Sequence, residues 1–326
     1  MSEYSPSWLL IEETFGGRFT LNGNAEQMRE QFNGLVSALL PRLPCPSEEV
    51  ASQDGEVDGI KYRIYLPRDV KDSERLPTVG HTHGGGYVLG NLDMEDALCR
   101  TICEHTRSAV ISVDYRLAPE HKCPTQFEDT IRVFEWAVEH AESYHMDPTK
   151  FYTFGASAGA ALALSIANHF IAKSKADPSL KPALVVKGIA SVAPFTLHPD
   201  NVPIQYSGMY NSHEEFRTGA PCIDEASIHY FFEATNIEPT DERYLAALTT
   251  VNHADFPPTY LAVCECDPLR DDGIILAKML EKAGAQVRMD FYSGLPHLFW
   301  SFPMLPESNE FTEKLIKGVN WLIAET

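Results

Sequence analysis

The sequence predicts one α/β unit: a mostly parallel, twisted sheet flanked by helices, with a helical cap. Two observations carry that expectation. Segments of β character alternate with amphipathic helical ones through most of the chain, and two irregular stretches interrupt the alternation. The first stretch comprises residues 1–50, where Met28, Phe32, Leu35, Val36 and Leu39 recur at helical spacing and Pro41, Pro44 and Pro46 end the pattern. Ile60, Tyr62, Ile64 and Leu66 then alternate with polar neighbours, as in a half-exposed antiparallel edge strand. Parallel strands are expected at 78–83, 109–113, 151–154, 184–191, 259–264 and 287–292. Phe127, Ile131, Phe134, Val138 and Ala141 recur every three or four residues, as do Phe311, Leu315, Val319 and Leu322, so each set marks a helix with one face on the sheet. Residues 196–250 are too long for a plain connection and carry Tyr206, Tyr210, Phe216, Tyr230, Phe231 and Phe232. The expected division is cap helices at 1–50, a body formed by 51–195 with 251–326, and a cap insertion at 196–250.

Composition narrows the class. The chain has 326 residues, with 46 acidic against 26 basic and a formal charge of −20. Nucleic acid and anionic membrane surfaces need a clustered basic patch, so neither is an expected partner; a small neutral or cationic molecule suits the chain better. No stretch approaches the roughly 20 apolar residues that cross a bilayer, and the start, Met1-Ser2-Glu3-Tyr4-Ser5-Pro6, lacks the pattern of a secretory leader. The seven cysteines are scattered through a chain too large to need staples, and are read as reduced thiols in a cytoplasmic protein. Cys264 with Cys266, Cys99 with Cys103, and His81 with His83 could each supply half a metal site. No complementary pair accompanies them, and neither a metal nor a cofactor is expected. Oligomeric state, a homodimer included, is left open.

The chemistry is concentrated in a few motifs. Phe151-Tyr152-Thr153-Phe154 runs into Gly155-Ala156-Ser157-Ala158-Gly159, and Ala160-Ala161-Leu162-Ala163-Leu164 continues as a helix. Strand, tight turn and helix around G-x-S-x-G lift the Ser157 hydroxyl to the positive end of that helix, and glycines flank it because a Cβ would meet neighbouring backbone. The plain alternative is a serine helix cap. His83-Gly84-Gly85-Gly86 follows the strand at 78–83, and its glycines let backbone N–H groups face a developing oxyanion. Gly85, Gly86 and Ala158 are the expected donors, with His83 and Gly84 supporting the loop; a phosphate cradle would need a Lys-Ser/Thr that is absent. A hydroxyl needs a base to take its proton and a carboxylate to hold that base. Asp267 and His297 each stand just past a strand, where open α/β sheets place their ligands. Asp271 and Asp272 are the alternative acids, with the start of the next helix as their ordinary role. Tyr87, Tyr206, Tyr210 and Phe231 are the candidate pocket walls.

From about Pro77 onward these motifs resemble one known family, the hormone-sensitive-lipase-like group of α/β-hydrolases. The resemblance rests on His83-Gly84-Gly85-Gly86-Tyr87-Val88-Leu89-Gly90, Asp114-Tyr115-Arg116-Leu117-Ala118-Pro119-Glu120, Gly155 to Gly159, Asp267-Pro268-Leu269-Arg270-Asp271 and Pro296-His297. It implies the α/β-hydrolase fold, a cap built from N-terminal helices plus an insertion, and a carboxylesterase without a cofactor. Residues 198–203 look like fungal members. One position departs: the family carries Asp or Thr before the nucleophile, where this chain has Ala156. The expected function is hydrolysis of small-molecule esters with short to medium acyl or aryl groups: Ser157 attacks, His297 moves the proton, Asp267 holds the imidazolium and water releases the acid. A lactone or amide hydrolase would use the same machinery. The rival from another class is a non-catalytic small-molecule receptor of the same fold, which would lack the histidine that His297 supplies.

Overall fold

Eight strands form one sheet in the computed structural model, which describes residues 3–43, 45–177 and 184–326. Met1, Ser2 and Pro44, which figure in the N-terminal expectations above, lie outside the described residues. The strands are β1 (Val50–Val57), β2 (Ile60–Pro67), β3 (Leu76–Thr82), β4 (Ala109–Asp114), β5 (Met146–Ala156), β6 (Val186–Val192), β7 (Thr259–Cys266) and β8 (Val287–Pro296). Their order across the sheet is β1-β2-β4-β3-β5-β6-β7-β8. β2 runs antiparallel to both β1 and β4, and every later pair is parallel.

Segment 60–66 is therefore not an edge. β1 covers its outer side from Val50↔Pro67 to Val57↔Ile60, and β4 its inner side. The apolar pattern missed β1 because only its end residues, Val50 and Val57, are buried. An edge strand is held by ladder hydrogen bonds more than by burial, so its side chains carry little hydrophobic signal. The informative signal was Asp58-Gly59, a two-residue turn with both φ positive (52° and 83°), as a type I′ hairpin requires.

The period of two in each strand sorts side chains to two faces. Ala109, Ile111 and Val113 of β4 face the core layer that also holds the apolar sides of α4 (Thr125–Glu139), α5 (Ala158–Ala176) and α8 (Arg270–Ala283), whereas Val110 faces the layer that holds those of α3 (Asp96–Thr106) and α9 (Pro306–Ala324). With helices on both faces the inner parallel strands β3, β4, β6 and β7 are buried along nearly their whole length, which is why they read as apolar runs, whereas β8 at the sheet edge is half exposed.

At the N-terminus, Ser5 caps α1 (Pro6–Thr14) and Asn24 caps α2 (Ala25–Leu39). The 196–250 stretch carries a short α6 (Ser212–Glu215) and α7 (Glu225–Thr235), the latter closed by a reciprocal box between Asp224 and Ser227. The two stretches are stitched together: Leu21 N–H donates to Cys222 O (3.0 Å), Cys222 N–H to Phe19 O (2.7 Å), and Ala25 N–H to the Tyr230 hydroxyl (2.7 Å). All seven cysteines are free thiols, and no helix among the described residues is long and apolar enough to cross a membrane.

Candidate active site

β5 ends at Ala156 and α5 begins at Ala158, so Ser157 alone makes the turn, at φ 55° and ψ −123°. Such a conformation costs a non-glycine residue on the order of 1–3 kcal/mol and persists only where its surroundings over-determine it. Here they do. Ser157 N–H donates to Val192 O at the end of β6 (2.8 Å), and Ser157 O accepts from Ala161 N–H (3.1 Å). The end of β3 presses on the turn closely enough that a Cβ on Gly155 would lie 2.8 Å from Thr82 O, and one on Gly159 2.6 Å from His83 O. Ser157 is thereby presented, half-buried, at the start of a 19-residue helix whose dipole favours negative charge.

The loop after β3 approaches the same place. Gly85 and Gly86 are left-handed (φ 104° and 60°), and a Cβ on Gly86 would stand 2.5 Å from ring carbon Cδ1 of Phe231. Among the described residues, none of the N–H groups of Gly85, Gly86 and Ala158 donates to a protein acceptor. All three are free for a ligand oxygen. His83 stacks on Tyr115 (4.1 Å, 15°) and its Nδ1 lies 2.8 Å from Gly84 O; a carbonyl only accepts, so Nδ1 carries the proton. Burial pushes the His83 pKa down to about 4. His83 is a neutral strut, braced further by the Tyr115 hydroxyl donating to its carbonyl (2.6 Å).

Asp267 and His297 directly follow β7 and β8. Asp267 Oδ2 accepts from His297 Nδ1 at 2.7 Å and Oδ1 from Leu269 N–H at 2.8 Å, with the residues 0% and 3% exposed. With Nδ1–H committed to the carboxylate, Nε2 is left as the basic nitrogen.

The alternative acids are spent elsewhere. Asp271 Oδ2 accepts the N–H groups of Asn211 and Ser212 (2.6 Å each), and Asp272 Oδ1 those of Thr196 and Leu197 (2.8 Å each). Two adjacent residues at the start of α8 thus tether two points of the insertion. Burial pushes Asp272 up to about 7, against the pull of those two donors. Its folded pKa lies above the unfolded value of about 4, so ionisation costs stability: the penalty is absent below about pH 4 and grows until about pH 7. Asp272→Asn keeps the Oδ1 acceptor and removes the penalty. We expect the variant's advantage over the parent to be about 1–3 kcal/mol larger at pH 8 than at pH 4.5 in denaturant unfolding; a difference that does not vary with pH would refute the account.

A cavity of about 30 Å³ lies over Ser157, enough for about two water-sized groups. Tyr87 and Phe231 line it, as the sequence suggested; Tyr206 and Tyr210 are not among its walls. Tyr206 packs against the core, and Tyr210 lies beside His213 with its hydroxyl toward Asp272, because the 204–210 stretch is drawn to the α8 tethers. Sequence reasoning missed the aliphatic walls Ile223, Ile228, Ile237 and Leu269, together with Phe195, Phe232 and Thr235. Helical spacing was the available signal for part of them, since Ile228, Phe231, Phe232 and Thr235 share one face of α7. Thr235 Oγ1 donates to Phe231 O (2.6 Å), so the lining is apolar apart from Ser157, the unpartnered Tyr87 hydroxyl and the backbone donors. No three His, Cys, Asp or Glu side chains among the described residues stand where they could hold a metal ion.

A model of the family described as the alpha/beta hydrolase fold matches residues 79–301. A versiconal hemiacetal acetate esterase of Dothistroma septosporum is 44% identical over 323 residues, covering 99% of this chain and 96% of that one. The crystal structure of vibralactone cyclase aligns with a TM-score of 0.87 at 29% identity, covering 99% and 96% of the two chains. A hyperthermophilic esterase from the archaeon Pyrobaculum calidifontis aligns at 0.82 with 27% identity, covering 98% and 99%.

Proposed function

The chain belongs to the hormone-sensitive-lipase-like family of the alpha/beta hydrolase fold, and on that premise we propose that it is a serine carboxylesterase releasing short acyl groups from small-molecule esters. The observation that carries the reading is the buried Asp267–His297 hydrogen bond, set at the same strand ends as Ser157 and three uncommitted N–H groups. Ser157 Oγ attacks the ester carbonyl as His297 Nε2 takes its proton. Gly85, Gly86 and Ala158 receive the oxyanion, and His297 returns the proton to the leaving alcohol. Water, activated by the same nitrogen, then frees the acid. Residues 1–50 and 196–250 serve as the cap, and 51–195 with 251–326 as the catalytic body; the pairing of Phe19 and Leu21 with Cys222 supports treating the two cap stretches as one unit.

The cavity supports a small, uncharged acyl group, since its walls carry no charged side chain. A versiconal hemiacetal acetate esterase is named for an acetate ester, a two-carbon acyl group on a larger alcohol, which fits a site of this shape. A serine-directed phosphonate should attach once per chain, at Ser157; ester turnover by protein that takes no label there sinks the proposal. The likeness to vibralactone cyclase favours one second reading, capture of the acyl-enzyme by a hydroxyl of the substrate itself. Mass spectrometry of the product separates acid from lactone.

Phe231 is the wall to probe. Its ring lies against Gly86 and lines the cavity, so Phe231→Ala lengthens the acyl space beside the oxyanion donors. Each methylene in such a pocket is worth about 1–3 kcal/mol of discrimination. The hexanoate-to-acetate ratio of kcat/KM should rise by about tenfold or more. An unchanged ratio would remove Phe231 from the acyl site.

A further inference from the structure

One buried charge pair stands behind the oxyanion loop and has no part in the scheme above. His81 on β3 joins Ser112 on β4 (Nδ1 to Oγ, 2.9 Å) to Glu95, the residue before α3 (Nε2 to Oε2, 2.6 Å). His81 is 1% and Glu95 7% exposed. His81 lies in register with Phe154 and packs on its ring at 5.2 Å, so by the two-residue period of β5 it shares a sheet face with Ala156. The second carboxylate oxygen, Glu95 Oε1, is buried without a partner. A Cβ built on Gly84 would stand 3.6 Å from that oxygen and 3.5 Å from the Cβ of Ser157. Carboxylate and nucleophile approach one point, and no side chain fills it, because Gly84 has none and Ala156 only a methyl group.

Burial alone would discharge His81, yet Cys99 and Glu95 outweigh it and hold the ring up at about 10. The 2.6 Å contact sets the His81 ring where it can offset the charge of the Glu95 carboxylate. Cys99 from α3, His83 from the loop and Tyr115 after β4 are the other titratable groups that face it.

We propose that Glu95 and His81 are positioning residues for the hydrolysis: Glu95 fixes the start of α3 behind Gly84, and His81 cancels the charge that Glu95 would otherwise direct at the oxyanion. The idea rests on the serine-hydrolase reading, and Ser157→Ala is run beside each variant so that loss of that reading is seen separately. A bare carboxylate this close to the developing anion, at an effective dielectric near 20, slows formation of the tetrahedral intermediate by about tenfold or more. Binding of the neutral ester is little affected.

His81→Gln keeps the size and hydrogen-bonding capacity of the side chain and removes its charge. Relative to the parent enzyme, kcat should fall by about tenfold at pH 8 with KM within about twofold. The deficit should shrink toward pH 6, because a buried carboxylate deprived of its cation protonates readily. The double variant His81→Gln/Glu95→Gln should regain kcat to within about threefold of the parent, with a ratio that no longer depends on pH. A purely packing role predicts a double variant no better than the single one and a pH-independent deficit, and that result overturns the proposal. Circular dichroism checks the fold of each variant. Should His81→Gln not fold, Glu95→Gln decides: a loss of a few-fold that is independent of pH supports charge cancellation, and a loss beyond about tenfold overturns it.

Discussion

Ser157→Ala is expected to lower kcat on a chromogenic acetate ester by at least about 10⁴-fold while moving the thermal midpoint by no more than about 3 °C. The two halves of that expectation come from different parts of the structure. Chemistry fails because the hydroxyl removed is the one at the β5–α5 turn, where the helix start and the three free N–H groups converge. Those donors survive the change, and they should leave a residual rate of about 10³-fold over water. Stability holds because the hydrogen bonds that fix the turn are made by the Ser157 backbone and not by its hydroxyl. Alanine pays the same steric cost at φ 55° as serine, since both carry a Cβ. KM should change little, because the cavity loses one oxygen from a lining that is mostly apolar. A kcat loss under about 100-fold, measured with the midpoint unchanged, would place the reacting group elsewhere.

The part of the fold that is legible in the sequence has a physical pattern. The inner parallel strands were legible because burial on both faces makes each a nearly continuous apolar run. Ser157, Gly85, Gly86, Asp267 and His297 were legible because their placement depends on local backbone demands: glycines where a Cβ cannot fit, and side chains one step past a strand end. β1 was not legible, since an edge strand of Ser52, Gln53, Asp54 and Glu56 draws its stability from the ladder with β2 and not from burial. The cavity walls were equally hidden. Phe195, Ile223, Ile237 and Leu269 meet over Ser157 only after segments far apart in the chain have packed. Asp271 and Asp272 showed as the acidic start of a helix, yet their partners, Asn211, Ser212, Thr196 and Leu197, lie 59 to 76 positions away. The same holds for Glu95, which carries no local sign that it will meet His81.

Gly159→Ala is expected to abolish the folded enzyme altogether, although Ser157, Asp267 and His297 are all retained. Helix propensity alone argues the other way, since alanine in place of glycine favours a helix by about 1 kcal/mol. The packing overrides that preference. A Cβ at position 159 would lie 2.6 Å from His83 O and 2.8 Å from His83 C, and nearer still to Thr82 O. All three are backbone atoms of β3 and the loop leaving it, so no rotamer change can relieve the contact. The first turn of α5 would have to lift off the sheet, and the bond from Thr82 Oγ1–H to Gly159 O (2.8 Å) would be lost with it. Overpacking of this kind, with a buried hydrogen bond broken, costs at least about 4 kcal/mol, a large part of the stability of a typical domain. The measurement is soluble yield and a far-ultraviolet melt beside the parent. A variant that stays soluble with a midpoint within about 3 °C would show that β3 and α5 do not touch as closely as described. Because the clash involves main chain alone, no compensating side-chain change elsewhere should rescue it, whereas Ser157→Ala leaves the same packing untouched. The two substitutions therefore divide the G-x-S-x-G segment into a part that holds the strand against the helix and a part that reacts.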